Sequence, residues 1–345
     1  MNWINKNTFF SLLLFLSSVL LTFIVLEFSL RIFDIGYGNA PLESSPTLHH
    51  SHPVNYKFRV HDPAEEYGGH MIYYDEEGLS SAKPSKSKNN DNDSCRIAFL
   101  GDSFTEAGQV DYEKSFVGQL DSQTNCIVKN FGVSSYSPII YLLQWSIIES
   151  SFNPTHVFVQ LYSNDMDGDK NYYPIATKDE SGRVIAIPGP GDDWLRKQLR
   201  KSYLIRFVRK MQLKLTWMYQ NYGVDRKNIV SGTVEEDPNI TDLSRSFIKK
   251  LNDKVVLSGS NFILFVVPSK YRSVTKNYDD GVEFSDKWKK FSEENGVEFV
   301  DLVKEFKRES LSGAKLFFDK DIHFNEFGHA VTADVISNQY SRLFK

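Results

Sequence analysis

Five short apolar runs, each closed by a small or polar residue, constrain this chain most: 96–100, 127–131, 157–161, 262–267 and 297–300. Runs of this length bounded by Gly, Asn, Pro or Asp read as buried strands. Between them lie longer stretches with helical spacing, among them 139–150 and 243–257. Strands that alternate with helices argue a parallel sheet covered on both faces, because a parallel strand needs a crossover to regain the same edge. On such sheets ligands bind at the carboxyl ends of the strands, near the point where strand order reverses. The turns after the first three runs are Gly101-Asp102-Ser103, Phe131-Gly132 and Ser163-Asn164. The topology would gather these distant residues in one crevice.

Ser103 is the candidate nucleophile. A serine hydroxyl is a weak nucleophile until a base takes its proton, and the base works best when an acid orients it. Of the eight histidines, His323 alone combines acidic neighbours with a loop before a Gly328-led helical stretch. Asp321 and Asp319 both precede it, and either is an orienting acid by type. His329 reads as packing or capping, and His156 as structural. Asp102 reads as a turn-forming residue that bonds backbone groups. The nucleophile elbow of α/β-hydrolases is excluded, since it needs Gly where this chain has Thr105. No zinc-ligand or phosphate-loop spacing appears, so no cofactor is expected.

These segments resemble the SGNH (GDSL) hydrolase superfamily. Gly101-Asp102-Ser103 is similar to its first block, Asn130-Phe131-Gly132 to the second, Ser163-Asn164-Asp165 to the third and Asp321-Ile322-His323 to the last, in the family order. There are two departures: Tyr162 replaces the glycine usual in the third block, and Lys320 stands where an Asp often lies three residues before the His. An Asp two residues before the His resembles the variant of membrane-anchored and polysaccharide-modifying relatives. The resemblance implies a flavodoxin-like three-layer α/β/α fold with a central parallel sheet. It implies Ser103, His323 and Asp321 as the catalytic set. It also implies an oxyanion hole built from the Ser103 and Gly132 backbone N–H groups and the Asn164 side chain.

Residues Thr8 to Leu26 carry no charge and are rich in Leu, Phe, Val and Ile. Such a run is long enough to span a bilayer. It continues into Glu27–Phe33 without a small-x-small cleavage site, which favours an uncleaved anchor over a signal peptide or a buried soluble helix. Lys6 before the span and Arg31 after it nearly balance, so charge alone leaves the orientation open. The resemblance favours a catalytic domain outside the cytoplasm. Cys95 and Cys126 each lie six residues before a glycine that closes a strand, Gly101 and Gly132. Equal offsets on adjacent strands set the two side by side, as a disulfide or as two buried thiols.

The chain divides into an anchor at 1–33, a stalk and sheet-edge segment at 34–92, and a catalytic domain at 93–345 with an insertion at about 166–245. The second segment reads as largely irregular, with strand-like pieces between Tyr56 and Leu79 that would cover one sheet edge. His49-His50-Ser51-His52 reads as solvated stalk rather than a metal site. Within the insertion, 195–222 is a basic amphipathic helix or helix pair, expected to pack its apolar side on the core or to meet anionic lipid or polymer. A net charge of −4 argues against nucleic acid as a partner. The partners expected are an acylated carbohydrate or other ester, and the membrane; the oligomeric state is open. The function expected is a serine esterase acting on O-acetyl groups of an envelope or secreted polysaccharide. The alternatives are an O-acyltransferase using the same residues, a lipase or small-ester hydrolase, and a non-catalytic protein of the same fold.

Overall fold

The computed structural model describes residues 6–33, 35, 42–82, 95–191, 194–221, 238–268, 270 and 279–344. Helix α1 (Lys6–Ile32) leads into β1 (Glu43–Ser45) and β2 (His49–Ser51), a small antiparallel ribbon. β3 (Tyr56–His61), β4 (Gly68–Tyr74) and β5 (Ser80–Ser81) follow. The alternating part runs β6 (Arg96–Leu100), α2 (Ser103–Glu106), α3 (Phe116–Ser122), β7 (Ile127–Asn130), α4 (Pro138–Ser151), β8 (His156–Leu161) and α5 (Asp165–Tyr172). A ribbon of β9 (Thr177–Lys178) and β10 (Val184–Ala186) precedes α6 (Trp194–Lys201), α7 (Tyr203–Asn221) and α8 (Pro238–Leu257). The chain ends with β11 (Asn261–Val266), α9 (Asp279–Asn295), β12 (Glu298–Val300), α10 (Val303–Leu311) and α11 (Glu326–Gln339).

The main sheet has the order β12-β11-β8-β6-β7-β5-β4-β3. The five apolar runs of the sequence are its five parallel strands, in the doubly wound order 2-1-3-4-5 counted along that set. Order reverses between β6 and β8, so Ser103 and Asn164 leave the two strands that flank the switch point. Side chains alternate across the sheet as a period of two requires. Ala98, Leu100, Val157 and Val159 pack with Ile140 and Trp145 of α4 and Leu251 of α8. Ile97, Phe99, Phe158 and Phe265 pack on the other face with Phe116 of α3, Phe306 of α10 and Ile336 of α11. The result is the three-layer α/β/α arrangement. Cys95 and Cys126, one residue before paired strands β6 and β7, form a disulfide with Cα atoms 4.8 Å apart.

Two expectations need correction. Strands β3 and β4 stand where strand-like pieces were expected, and with β5 they extend the sheet antiparallel beyond β7, so the described part of the segment before Cys95 is more regular than expected. Nor are its histidines solvated. His50 and His52 are buried, because their rings lie against Tyr136 and Tyr74 and their nitrogens find polar partners in the catalytic region. The polar run Ser85–Asp93 lies outside the described residues. The second correction concerns only the core-packing alternative for 195–222, whose described part is the expected helix pair, broken at Ser202. On α7 the inner side is mixed, with Phe207, Leu213 and Trp217 half-buried beside basic residues. Arg206 bonds the Tyr56 hydroxyl and Lys214 pairs with Glu65 on the sheet edge, while Ile205, Val208, Met211, Leu215 and Met218 are exposed.

Candidate active site

The chain turns sharply after β6 because Gly101 has no side chain. A Cβ there would lie 2.2 Å from Thr105 Oγ1 and 2.5 Å from Gln160 Oε1. Asp102 then caps α2, its Oδ1 accepting the Phe104 N–H at 2.9 Å. This is the turn-forming role expected of it. Ser103 is thereby the first residue of a one-turn helix at the crevice. Its own N–H has no acceptor among the described residues.

His323 arrives from the loop before α11, whose start is fixed by Asn325 Oδ1 accepting the Gly328 N–H at 3.0 Å. His323 Nε2 lies 2.7 Å from Ser103 Oγ. His323 Nδ1 lies 2.5 Å from Asp321 Oδ1, which also accepts the His323 N–H at 2.8 Å. Asp319 turns away and pairs with Lys315 at 2.8 Å. Burial raises the Asp321 carboxyl, but the His323 ring, the His323 N–H and the Tyr67 hydroxyl outweigh it and hold the group below the usual range. The geometry makes Nδ1–H the donor to Asp321 and leaves Nε2 free to accept the serine proton.

The expected oxyanion donors divide. Asn164 follows β8 as the N-cap of α5 and lies against Asp102, whose carboxyl burial pushes up to about 6. Gly132 sits under the nucleophile turn, but its N–H donates to Asn130 Oδ1 at 2.9 Å. Its part in an oxyanion hole therefore requires that bond to be exchanged. Asp165 is structural: its Oδ2 accepts the Tyr162 N–H at 3.0 Å, and burial, with Asp102 close by, raises its carboxyl strongly. His329 is buried, with Nδ1 accepting the Phe116 N–H at 3.3 Å, and its pKa falls to about 3 through burial and the proximity of His323.

Two supports were missed from sequence, and both come from the segment before Cys95. Tyr67 donates to Asp321 Oδ2 at 3.2 Å, while Glu66 Oε2 accepts the Lys320 N–H at 2.6 Å. The β3–β4 turn thus grips the acid loop. Glu106, three residues after Ser103, accepts the Tyr74 hydroxyl at 3.0 Å and the Ser134 N–H at 2.6 Å, with His52 Nε2 at 3.2 Å. Burial would raise this carboxyl, yet His52 and Ser134 bring it down to about 2. The only sequence signals were an unassigned Glu three residues after Ser103 and a histidine cluster assigned to solvent.

The sequence profile of the GDSL-like lipase/acylhydrolase family matches residues 99–331. The chain belongs to this family. Its match begins inside β6, so the Tyr67 and His52 contacts come from outside it. Among solved structures, a G-D-S-L lipolytic protein from Veillonella parvula is similar at 15% identity and a TM-score of 0.42, over 72% of this chain and 100% of that one. A catalytic mutant of an acetylxylan esterase from Geobacillus stearothermophilus matches at 15% identity and a TM-score of 0.43, over 71% of this chain and 94% of that one. A GDSL-like lipase from Bacteroides thetaiotaomicron matches at 11% identity and a TM-score of 0.39, over 76% and 92%. No curated protein matches the chain.

Proposed function

We propose that this protein is a membrane-anchored serine esterase that releases acyl groups, with O-acetyl groups of an envelope or secreted polysaccharide as its substrates. The observation that carries the reading is the 2.7 Å approach of Ser103 Oγ to His323 Nε2, backed by Asp321. Ser103 Oγ attacks the ester carbonyl carbon and its proton passes to His323 Nε2. The tetrahedral oxyanion is held by the Ser103 N–H and the Asn164 amide. Gly132 joins them once its N–H leaves Asn130. Collapse breaks the bond to the sugar oxygen, which takes the proton from His323 Nε2 and leaves as the free hydroxyl. Water, deprotonated by the same nitrogen, then cleaves the acyl-serine. Asp321 keeps the proton on Nδ1 and stabilises the imidazolium. Helix α1, with an exposed apolar span at Thr8–Ile32, supports anchoring, and the Cys95–Cys126 disulfide supports a location outside the cytoplasm.

The test is labelling of the full chain by a fluorophosphonate probe, followed by acetyl release from purified envelope polysaccharides. Labelling of wild type and none of Ser103→Ala is expected, with acetate appearing only for wild type. Acyl transfer to added polysaccharide hydroxyls without net acetate would reassign the protein as an O-acyltransferase. Equal labelling of both proteins would refute Ser103 as nucleophile.

A further inference from the structure

Helix α7 starts at the end of the anchor. Glu27, on the last turns of α1, accepts hydrogen bonds from Ser202 Oγ at 2.8 Å, the Tyr203 N–H at 3.0 Å and the Leu204 N–H at 2.8 Å. These are the orphan donors of an α-helix N-terminus, and a carboxylate there suits the helix dipole. Arg31 closes the cluster, donating to Glu27 at 2.7 Å and to the Lys201 carbonyl at 3.2 Å, with its guanidinium 5.0 Å from the Tyr203 ring centre. A hydrocarbon core takes about twenty helical residues. Counting from Thr8, Glu27 stands at the headgroup boundary. An acid at that depth needs partners, and α7 supplies them.

From that point α7 leaves α1 and runs along the catalytic region. Arg206 stands over Tyr56, Lys214 pairs with Glu65, and Lys320 sits 5.2 Å over the ring of Trp217. One side of the helix is thus committed to the sheet edge and to the loop that carries Asp321. The opposite side carries Ile205, Val208, Met211, Leu215 and Met218, 40–61% exposed, at steps of three and four residues. That is an unbroken apolar stripe along a helix roughly 28 Å long. Residues 194–221 hold eight Lys and Arg and no acid.

We propose that α7 is an interfacial helix that seats the catalytic region on the bilayer, its apolar stripe in the acyl–headgroup boundary and anionic lipid beneath it. The stripe begins where the lipid-facing surface of α1 ends, which identifies lipid as its occupant, and the exposed Lys201 and Arg209 complement an anionic surface. The far end of α7 abuts the Asp321 loop, so the crevice opens at a fixed distance from the membrane. Its substrate is then a polymer or glycolipid within reach of that surface.

The proposal rests on α1 as an anchor, and one experiment separates the two. Both cysteines are paired, so a new one is the unique thiol. Met211→Cys and Leu215→Cys, with Lys249→Cys on the exposed face of α8 as the water control, are labelled with an environment-sensitive fluorophore. The full chain is reconstituted in phosphatidylcholine vesicles with and without phosphatidylglycerol. The stripe labels should emit to the blue of the control, resist iodide severalfold and be quenched by acyl-chain-brominated lipid, more so with phosphatidylglycerol. Release of the chain by an alkaline wash overturns the anchor and the docking together. A retained chain whose stripe labels quench in iodide like the control overturns the docking alone. Labels shielded from iodide yet untouched by brominated lipid overturn it in favour of a protein cover.

Discussion

Replacing Gly132 by Ala tests whether the second motif acts through backbone proximity to the nucleophile turn. A Cβ on Gly132 would lie 2.5 Å from the Glu106 N and 2.7 Å from the Thr105 carbonyl carbon and Cβ. Two of these atoms are backbone of the single turn that carries Ser103, so no rotamer change relieves the contact. To reach ordinary contact at 3.4 Å, the Gly132 loop and α2 must separate by about 0.9 Å. Overpacking of this kind costs about 1–3 kcal/mol, and an immovable neighbour puts it at the upper end. For a chain of 345 residues that lowers the unfolding midpoint by about 4 °C. A displacement near 1 Å at a reacting group costs about a hundredfold in rate. The assay is p-nitrophenyl acetate turnover per fluorophosphonate-titrated site, with thermal unfolding alongside. Gly191→Ala, which meets nothing within 4 Å, is the control and should behave as wild type. Wild-type turnover and midpoint in Gly132→Ala would refute the close-approach argument.

Asp321→Asn should lose at least a hundredfold in kcat while Asp319→Asn loses little, because Asp319 faces Lys315; the reverse ranking would overturn the choice of acid. Asn164→Ala should lower kcat by about a hundredfold to a thousandfold with KM nearly unchanged, the scale of one lost oxyanion donor. A lower melting temperature with turnover per folded molecule preserved would make it structural instead. Glu106 has its folded pKa depressed to about 2 from its ordinary 4.5, so its contribution to stability is present above pH 4.5 and is lost as pH falls toward 2. Denaturant unfolding of Glu106→Gln should show a loss of about 3–5 kcal/mol at neutral pH that narrows over that acid window. A gap independent of pH would refute the stabilised-carboxylate account.

The catalytic region was legible because its signals are local. Each parallel strand is a short apolar run with its own stop, and the register of β6 with β7 follows from Cys95 and Cys126 standing at equal offsets. Residue type alone left Asp319 and Asp321 open; the resemblance pointed to Asp321, whose place also depends on a loop held by Lys270 donating to the Asp319 and Asp321 carbonyls at 2.7 and 3.0 Å. The histidine cluster was misassigned because polar residues normally mark solvent. Burial of His52 is decided by Glu106, fifty-four positions along the chain, and no local pattern reports that pairing. The orientation of α7 was hidden for the same reason: its helical period places Arg206 and Lys214 on one side, but only Tyr56 and Glu65 make that side the inner one.

The same hairpin meets both halves of the candidate site. Tyr74, on β4, bonds Glu106 just after the nucleophile, and Tyr67, at the β3–β4 turn, bonds Asp321 just before the base. Ser103 and His323 sit on loops separated by 220 residues, yet they must hold a 2.7 Å hydrogen bond. A loop is the most mobile part of an α/β domain, and a shared rigid neighbour is an economical way to fix two loops relative to one another. β3 and β4 supply that neighbour: they continue the central sheet and bury Phe58, Val60, Ile72 and Tyr74 in a core of their own. The strut also receives α7, through Tyr56 and Glu65, and α7 starts against Glu27 of α1. Helix α1, strut and both reactive segments thus form one connected chain of contacts. Residues outside the family match carry the alignment that residues within it use.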